Sequence, residues 1–286
     1  MDMSQEPTQR SFVDAQNVTV TFYQWPVAQP KAVVQLVHGL GEHARRYDHV
    51  AAALNSHGYA VYATDHRGHG QTGVAMRAAG LIKRQGNLGP GGMKAVFADE
   101  LQLSDLIATE YPGLPLMLIG HSWGSMISQR ILDTQSHRYR AVVLTGSTKL
   151  WVGMPSAGFN KAWDGQPGAN GKEWLSRDAS VGAKFIADPL NFPESAMQVF
   201  GVLNAFALMG SPKESTRADL PILLQAGSED PIGGEKGNEA LLKGYLAAGV
   251  KDVQLMIYHG ARHEVFNETN QADVIADTIS WLDGEL

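Results

Sequence analysis

Cysteine is absent from the 286-residue chain. That excludes disulfides, thiolate metal centres and a cysteine nucleophile. Long apolar runs are absent too: none approaches the roughly 18 residues a membrane-spanning helix needs. Positive charge is not in excess. Lysine and arginine number 23 against 29 acidic residues, a formal net charge of −6. A nucleic-acid partner is therefore not expected, since such surfaces are marked by basic patches. The opening MDMSQEPTQR has no apolar stretch of the kind a secretory signal carries, so a cytoplasmic location is expected. What is plentiful is hydrophobic residues, 44%, and glycine, 31 residues. A chain of this length and composition can bury its own core without crosslinks.

The apolar residues fall in a repeating order. Met1 to Arg10 reads as a loose tail, and Phe12 to Tyr23 as an antiparallel edge pair. AVVQLVHG, ending at Gly39, is almost wholly apolar, which marks a strand buried on both faces and so a mostly parallel sheet. YAVYATD, LPLMLIG, RAVVLTG, LPILLQAG and VQLMIYHG repeat that signal. Between them, helical spacing predicts helices over Tyr47–His57, Ala95–Tyr111, Trp123–Thr134, Ala240–Ala248 and Asp273–Leu286. This is βαβ repetition with short connections.

The repetition stops near Lys149 and resumes near Leu220. The stretch between is rich in Gly, Pro and aromatic residues, among them Trp163, Trp174, Phe185, Phe192, Phe200 and Phe206, together with Met209. It reads either as a surface excursion with its own small core or as a lid over an apolar cleft. The simplest organisation is a core domain of residues 1–148 and 220–286 with a cap insertion over 149–219.

Gly120-His121-Ser122-Trp123-Gly124 matches G-x-S-x-G. The setting adds specificity, because an apolar strand precedes the motif and a helical pattern follows it. The glycines allow the backbone to turn sharply without Cβ collisions. Ser122 is the candidate nucleophile; the alternative is an ordinary serine N-cap. A serine hydroxyl needs an adjacent base. His263, in the loop after the last strand, is the candidate, with His259 read as structural. A carboxylate must orient that base. Asp230, after LPILLQAG, is the candidate, and Glu229 competes with it. The chain order Ser122, Asp230, His263 differs from the chymotrypsin and subtilisin orders.

His38-Gly39-Leu40-Gly41-Glu42-His43 follows the first buried strand. Its glycines let backbone N–H groups converge, so the backbone N–H groups of Leu40 and Trp123 are the candidate oxyanion donors. A plain βα turn is the alternative. Asp65-His66-Arg67-Gly68-His69-Gly70 is a second charged turn, expected to tie loops together, with an Asp65–Arg67 pair conceivable. The histidine pairs 38/43, 66/69 and 259/263 have no evident third ligand, and no metal is expected.

These motifs resemble the α/β-hydrolase superfamily. More narrowly, VVQLVHGLGEHARRYDHVAAAL, YATDHRGHGQT, LIGHSWGS, LQAGSEDPIG, YHGARHEVFNE and RDASVGAKFIADPL resemble the monoacylglycerol lipases. They are also similar to the lysophospholipase-like proteins grouped with serine aminopeptidase-type hydrolases. The similarity covers nearly the whole chain. It implies a mostly parallel eight-stranded sheet flanked by helices, with a cap after the sixth strand and an acyl chain lying between cap and core. It implies nucleophile Ser122, acid Asp230, base His263, donors at Leu40 and Trp123, and no cofactor. Where the family elbow usually has methionine after the serine, this chain has Trp123.

The expected function is hydrolysis of carboxylic esters of monoacylglycerol or lysophospholipid type, with transient membrane-surface contact through the cap compatible with it. An amidase or aminopeptidase using the same residues is the first alternative. The cap carboxylates Asp164, Glu173, Asp178, Asp188 and Glu194 are its candidates for holding an α-ammonium. C–C bond hydrolysis and a non-catalytic binding protein are further alternatives. Oligomeric state is not legible.

Overall fold

The strands that read as almost wholly apolar runs lie in the middle of the sheet. In the computed structural model, which describes residues 6–149, 158–193 and 196–286, eight strands form. They are β1 (Thr8–Val13), β2 (Thr19–Trp25), β3 (Ala32–Val37), β4 (Tyr59–Thr64), β5 (Leu116–His121), β6 (Ala141–Thr145), β7 (Ile222–Gly227) and β8 (Val253–Tyr258). Their order is β1-β2-β4-β3-β5-β6-β7-β8. The β1–β2 and β2–β4 pairs are antiparallel and all others parallel. Strands β3 to β7 are buried at every position, because helices cover both faces.

On one face lie α1 (Asp48–Ser56) and the C-terminal helix Gln271–Gly284. Their Val50, Leu54, Trp281 and Leu282 join Val34, Leu36 and Ile119 of the sheet. On the other lie the helices Gly92–Glu110, Trp123–Gln135 and Gly234–Ala247. Leu103, Ile127 and Leu241 there meet Val33, Leu118 and Leu224. Parallel strands put all their C-terminal ends at one edge, where sites form in such sheets. The turns after β3, β5, β7 and β8 therefore meet, although they lie far apart in sequence.

Three elements depart from the sequence-based expectation. First, β1 begins at Thr8, inside the expected tail, whose residues Met1–Gln5 lie outside the described residues. Its first four residues, Thr8–Ser11, are polar and give no apolar signal, and this start is held by Arg10, which pairs with Glu110 at 2.6 Å and lies over Phe22. Second, a helix over Gly70–Ala78 was not expected, given its two glycines. Its first turn is held by the Asp65 carboxylate, which accepts the Gln71 N–H at 2.7 Å. Third, the helix expected from Ala240 begins at Gly234. Its early glycines permit close approach: a β-carbon on Gly237 would stand 2.5 Å from Thr148 Oγ1.

Among the described residues between β6 and β7, the chain is helical over Ala179–Ala187 and over Ala196–Phe206, the latter broken at Gly201, where φ is 68°. Leu150–Ala157 and Glu194 of the expected cap lie outside the described residues. Among the described residues no helix is long and apolar enough to cross a membrane.

Candidate active site

Ser122 occupies the turn between β5 and the helix Trp123–Gln135, with φ 53° and ψ −120°. A non-glycine residue there is strained by roughly 1–3 kcal/mol and must be held by its surroundings. Its N–H donates to Thr145 O at 2.9 Å. The flanking glycines are required by close approach. A β-carbon on Gly120 would stand 2.6 Å from Ser128 Oγ, and one on Gly124 would collide with the Val37 carbonyl. The elbow therefore presses against β3 and its following turn.

Two loops bring the other side chains to Ser122. His263 Nδ1 lies 3.0 Å from Asp230 Oδ2, and Nε2 lies 2.8 Å from Ser122 Oγ. Only one tautomer suits both contacts: Nδ1–H donates to the carboxylate, and Ser122 Oγ–H donates to Nε2. Asp230 is buried and its other oxygen accepts the Ile232 N–H at 2.9 Å, whereas Glu229 is exposed. His259 is exposed on the turn after β8. Burial pulls the His263 pKa down, but the Asp230 charge and hydrogen bond, then Glu264 and Glu42, outweigh it and hold the pKa above the ordinary 6.5. His121, 4.9 Å from His263 ring to ring, has its own pKa pushed down to about 3, by burial and then by His263. It stays neutral and does not oppose an imidazolium beside it.

The turn after β3 lies alongside: a β-carbon on Gly39 would be 3.2 Å from Ser122 Cβ. Glu42 shapes this turn by accepting the Gly39 N–H and the Tyr47 hydroxyl, each at 2.6 Å. Leu40 is half-buried in it, and Trp123 begins the helix after Ser122. The histidines are committed to hydrogen bonds. His66 N–H donates to His38 Nε2 at 3.0 Å, so His38 Nδ1–H donates to Gly39 O at 2.7 Å. His43 Nε2 meets Asp188 at 2.8 Å. Asp65 and Arg67 do not pair with each other. Asp65 holds the N–H groups of Ala44 and Gln71, while Arg67 pairs with Asp99 at 2.7 Å and with Asp14. Among the described residues no group of three or more metal-ligating side chains is assembled.

Aromatic residues read from the sequence as part of the 149–219 insertion, and Trp123 of the elbow, lie around the site, although nothing in the local sequence specified their contacts. Trp174 packs 5.0 Å from the His263 ring and its carbonyl accepts the His263 N–H at 3.3 Å. Phe192 N–H donates to Gly41 O at 2.9 Å. Trp123 is enclosed by His66, His69 and Phe200 at 4.9–5.0 Å, and its buried Nε1 has no protein partner. Arg46 and Glu264 also sit here, joined at 2.8 Å through both guanidinium nitrogens, and neither was singled out from the sequence.

Known proteins share this architecture along its length. Residues 28–270 match the family model described as serine aminopeptidase, S33. The monoacylglycerol lipase of Mycolicibacterium smegmatis is 30% identical, with 98% of each chain covered. The monoglyceride lipase of Mus musculus is 29% identical over 91% of this chain and 85% of its own. A highly thermostable carboxyl esterase from Bacillus coagulans, crystallised with glycerol, matches with a TM-score of 0.83 at 26% identity, covering 98% of this chain and 99% of that one. With a family match across most of the chain and a relative matched end to end, this protein belongs to the serine aminopeptidase S33 family of α/β-hydrolases and is a carboxylic ester hydrolase.

Proposed function

We propose that the enzyme cleaves single-chain acyl esters of monoacylglycerol or lysophospholipid type through Ser122, Asp230 and His263. The carrying observation is the unbroken line Ser122 Oγ–His263 Nε2, 2.8 Å, and His263 Nδ1–Asp230 Oδ2, 3.0 Å, which runs from a half-buried hydroxyl to a buried carboxylate. Ser122 Oγ attacks the ester carbonyl as its proton passes to His263 Nε2. The oxyanion is held by the backbone N–H groups of Leu40 and Trp123, at the positive end of a helix. The imidazolium gives its proton to the leaving alcohol. Water, deprotonated by His263, then releases the acid and restores Ser122. Nothing in this sequence of steps calls for a cofactor.

The chain over 149–219 acts in this reading as a cap on the core formed by 1–148 and 220–286. Trp174, Phe192 and Phe200 are its apolar contribution beside the nucleophile. Among the described residues, the four candidate cap carboxylates favour an ester over an α-ammonium substrate. Asp188 is engaged by His43, and Glu173 accepts from Asn160 and the Asn170 N–H. Asp164 accepts from Asn160, and Asp178 caps a helix.

An acyl methylene gains about 0.8 kcal/mol on full burial, roughly fourfold in kcat/KM. In soluble p-nitrophenyl esters, kcat/KM should therefore climb from two acyl carbons until the groove is filled. Trp123, buried against Phe200, should end that rise early, so Trp123→Met should move the optimum to longer chains. A level or falling series from two to eight carbons would reject the acyl groove. A monoacylglycerol run beside an aminoacyl amide tests the head group.

Ile186, Leu203 and Phe206 expose large apolar side chains on the cap helices, Leu203 by 87%. We attribute them to transient contact with a lipid surface by a cytoplasmic enzyme. Leu203→Asp together with Phe206→Asp should lower sedimentation with phosphatidylcholine vesicles while leaving hydrolysis of soluble esters unchanged. Equal sedimentation of both proteins would remove this contact from the reading.

A further inference from the structure

Glu264 adjoins the base in sequence and is buried. Its two oxygens take Arg46 Nη1 and Nη2 at 2.8 Å each, a two-pronged pair. Arg46 Nη1 also meets Glu42. Glu42, through its other oxygen, holds the Gly39 N–H at 2.6 Å, one residue before Leu40. One guanidinium thus ties the His263 loop to the turn after β3. Ion pairs this buried contribute little net stability, because desolvation offsets their attraction. Two carboxylates sharing one guanidinium are not explained by stability.

We propose that Glu264 is a positioning residue which, through Arg46, sets the spacing between His263 and the Gly39–Glu42 turn. The proposal rests on the reading of Ser122 and His263 as nucleophile and base. A guanidinium fork suits the task, since its planar donors fix direction as well as distance. The groups acting on His263 are Asp230 from the β7 turn, Glu42 from the segment after β3, and Glu264 itself, while His121 from the end of β5 lies 4.9 Å away ring to ring and itself feels Arg46. Against the desolvation that lowers it, the His263 pKa is raised by Asp230 and then by Glu264 and Glu42. Removing the Glu264 charge lowers that pKa.

The test uses the full chain with Glu264→Gln and Arg46→Lys, each normalised by titration with a serine-reactive phosphonate. Misplacement by about 1 Å can cost on the order of 100-fold. Glu264→Gln should lower kcat by roughly 10–100-fold per titrated site, with KM little changed, and move the acidic limb of kcat/KM to lower pH. Arg46→Lys keeps the charge but loses the fork, so kcat should fall while the acidic limb stays in place. If Glu264→Gln does not fold, Arg46→Lys carries the kcat test alone. Wild-type kcat per titrated site in the folded variants, even with a lower Tm, would overturn the positioning role. Failure of the phosphonate to label Ser122 in the wild type would instead strike the underlying reading.

Discussion

Ser122→Ala is expected to abolish ester hydrolysis and leave the fold intact. The variant removes only Oγ. The β-carbon already present at φ 53° remains, so the strained turn gains no new collision, and the Thr145 contact runs through the backbone N–H. With the proposed nucleophile gone, no acyl-enzyme should form, and the neighbouring groups should retain only weak assistance to water. Loss of a serine nucleophile of this kind costs on the order of 10⁶-fold in kcat. A serine-reactive phosphonate should label the wild type at Ser122 alone, read by mass spectrometry of the digested protein. Labelling at any other serine would overturn the assignment.

Asp230→Asn and His263→Ala should each lose about 10³-fold or more in kcat. The asparagine case is informative because it changes little volume. An amide NH₂ facing His263 Nδ1 favours the tautomer with hydrogen on Nε2, which then cannot accept the Ser122 proton. Glu229→Gln should cost little, since that side chain is exposed and Asp230 is the carboxylate in contact with the imidazole. A larger loss in Glu229→Gln than in Asp230→Asn would exchange their roles. Combined with Ser122→Ala, neither variant should add a further loss, since the three groups act as a unit. The base must be neutral to work. With its pKa held above 6.5, activity should fall as pH drops through that raised value. The limb therefore lies above the position an ordinary histidine would give. A flat kcat/KM from pH 5 to 8 would contradict this.

Much of the fold was legible because its signals are local. A nearly unbroken apolar run such as Ala32–Val37 or Leu116–Ile119 states that both sides of a strand are covered, and such runs alternating with helical spacing imply a parallel sheet. The elbow is equally local: two glycines at fixed offsets from Ser122, between a strand and a helix. Elements with weak local signals were read short or missed. The edge pair was expected from Phe12, but the polar start of β1 at Thr8 was not, and Gly70–Ala78 is helical because Asp65 anchors its first turn.

The sequence alone thus determined the layered α/β architecture, the position of the serine at a strand end, and the short loops in which an acid and a base had to be sought. Glu229 and Asp230 carry the same chemistry, and the sequence reading already preferred Asp230; only tertiary structure shows that the turn after β7 buries Asp230 and exposes Glu229. The tie from Arg46 to Glu264, and the packing of Trp174 against His263, join segments far apart in the chain. No spacing rule over a few residues reaches that far. Such contacts follow from parallel strands delivering their C-terminal turns to one edge, where burial and ion pairing are decided by neighbours in space.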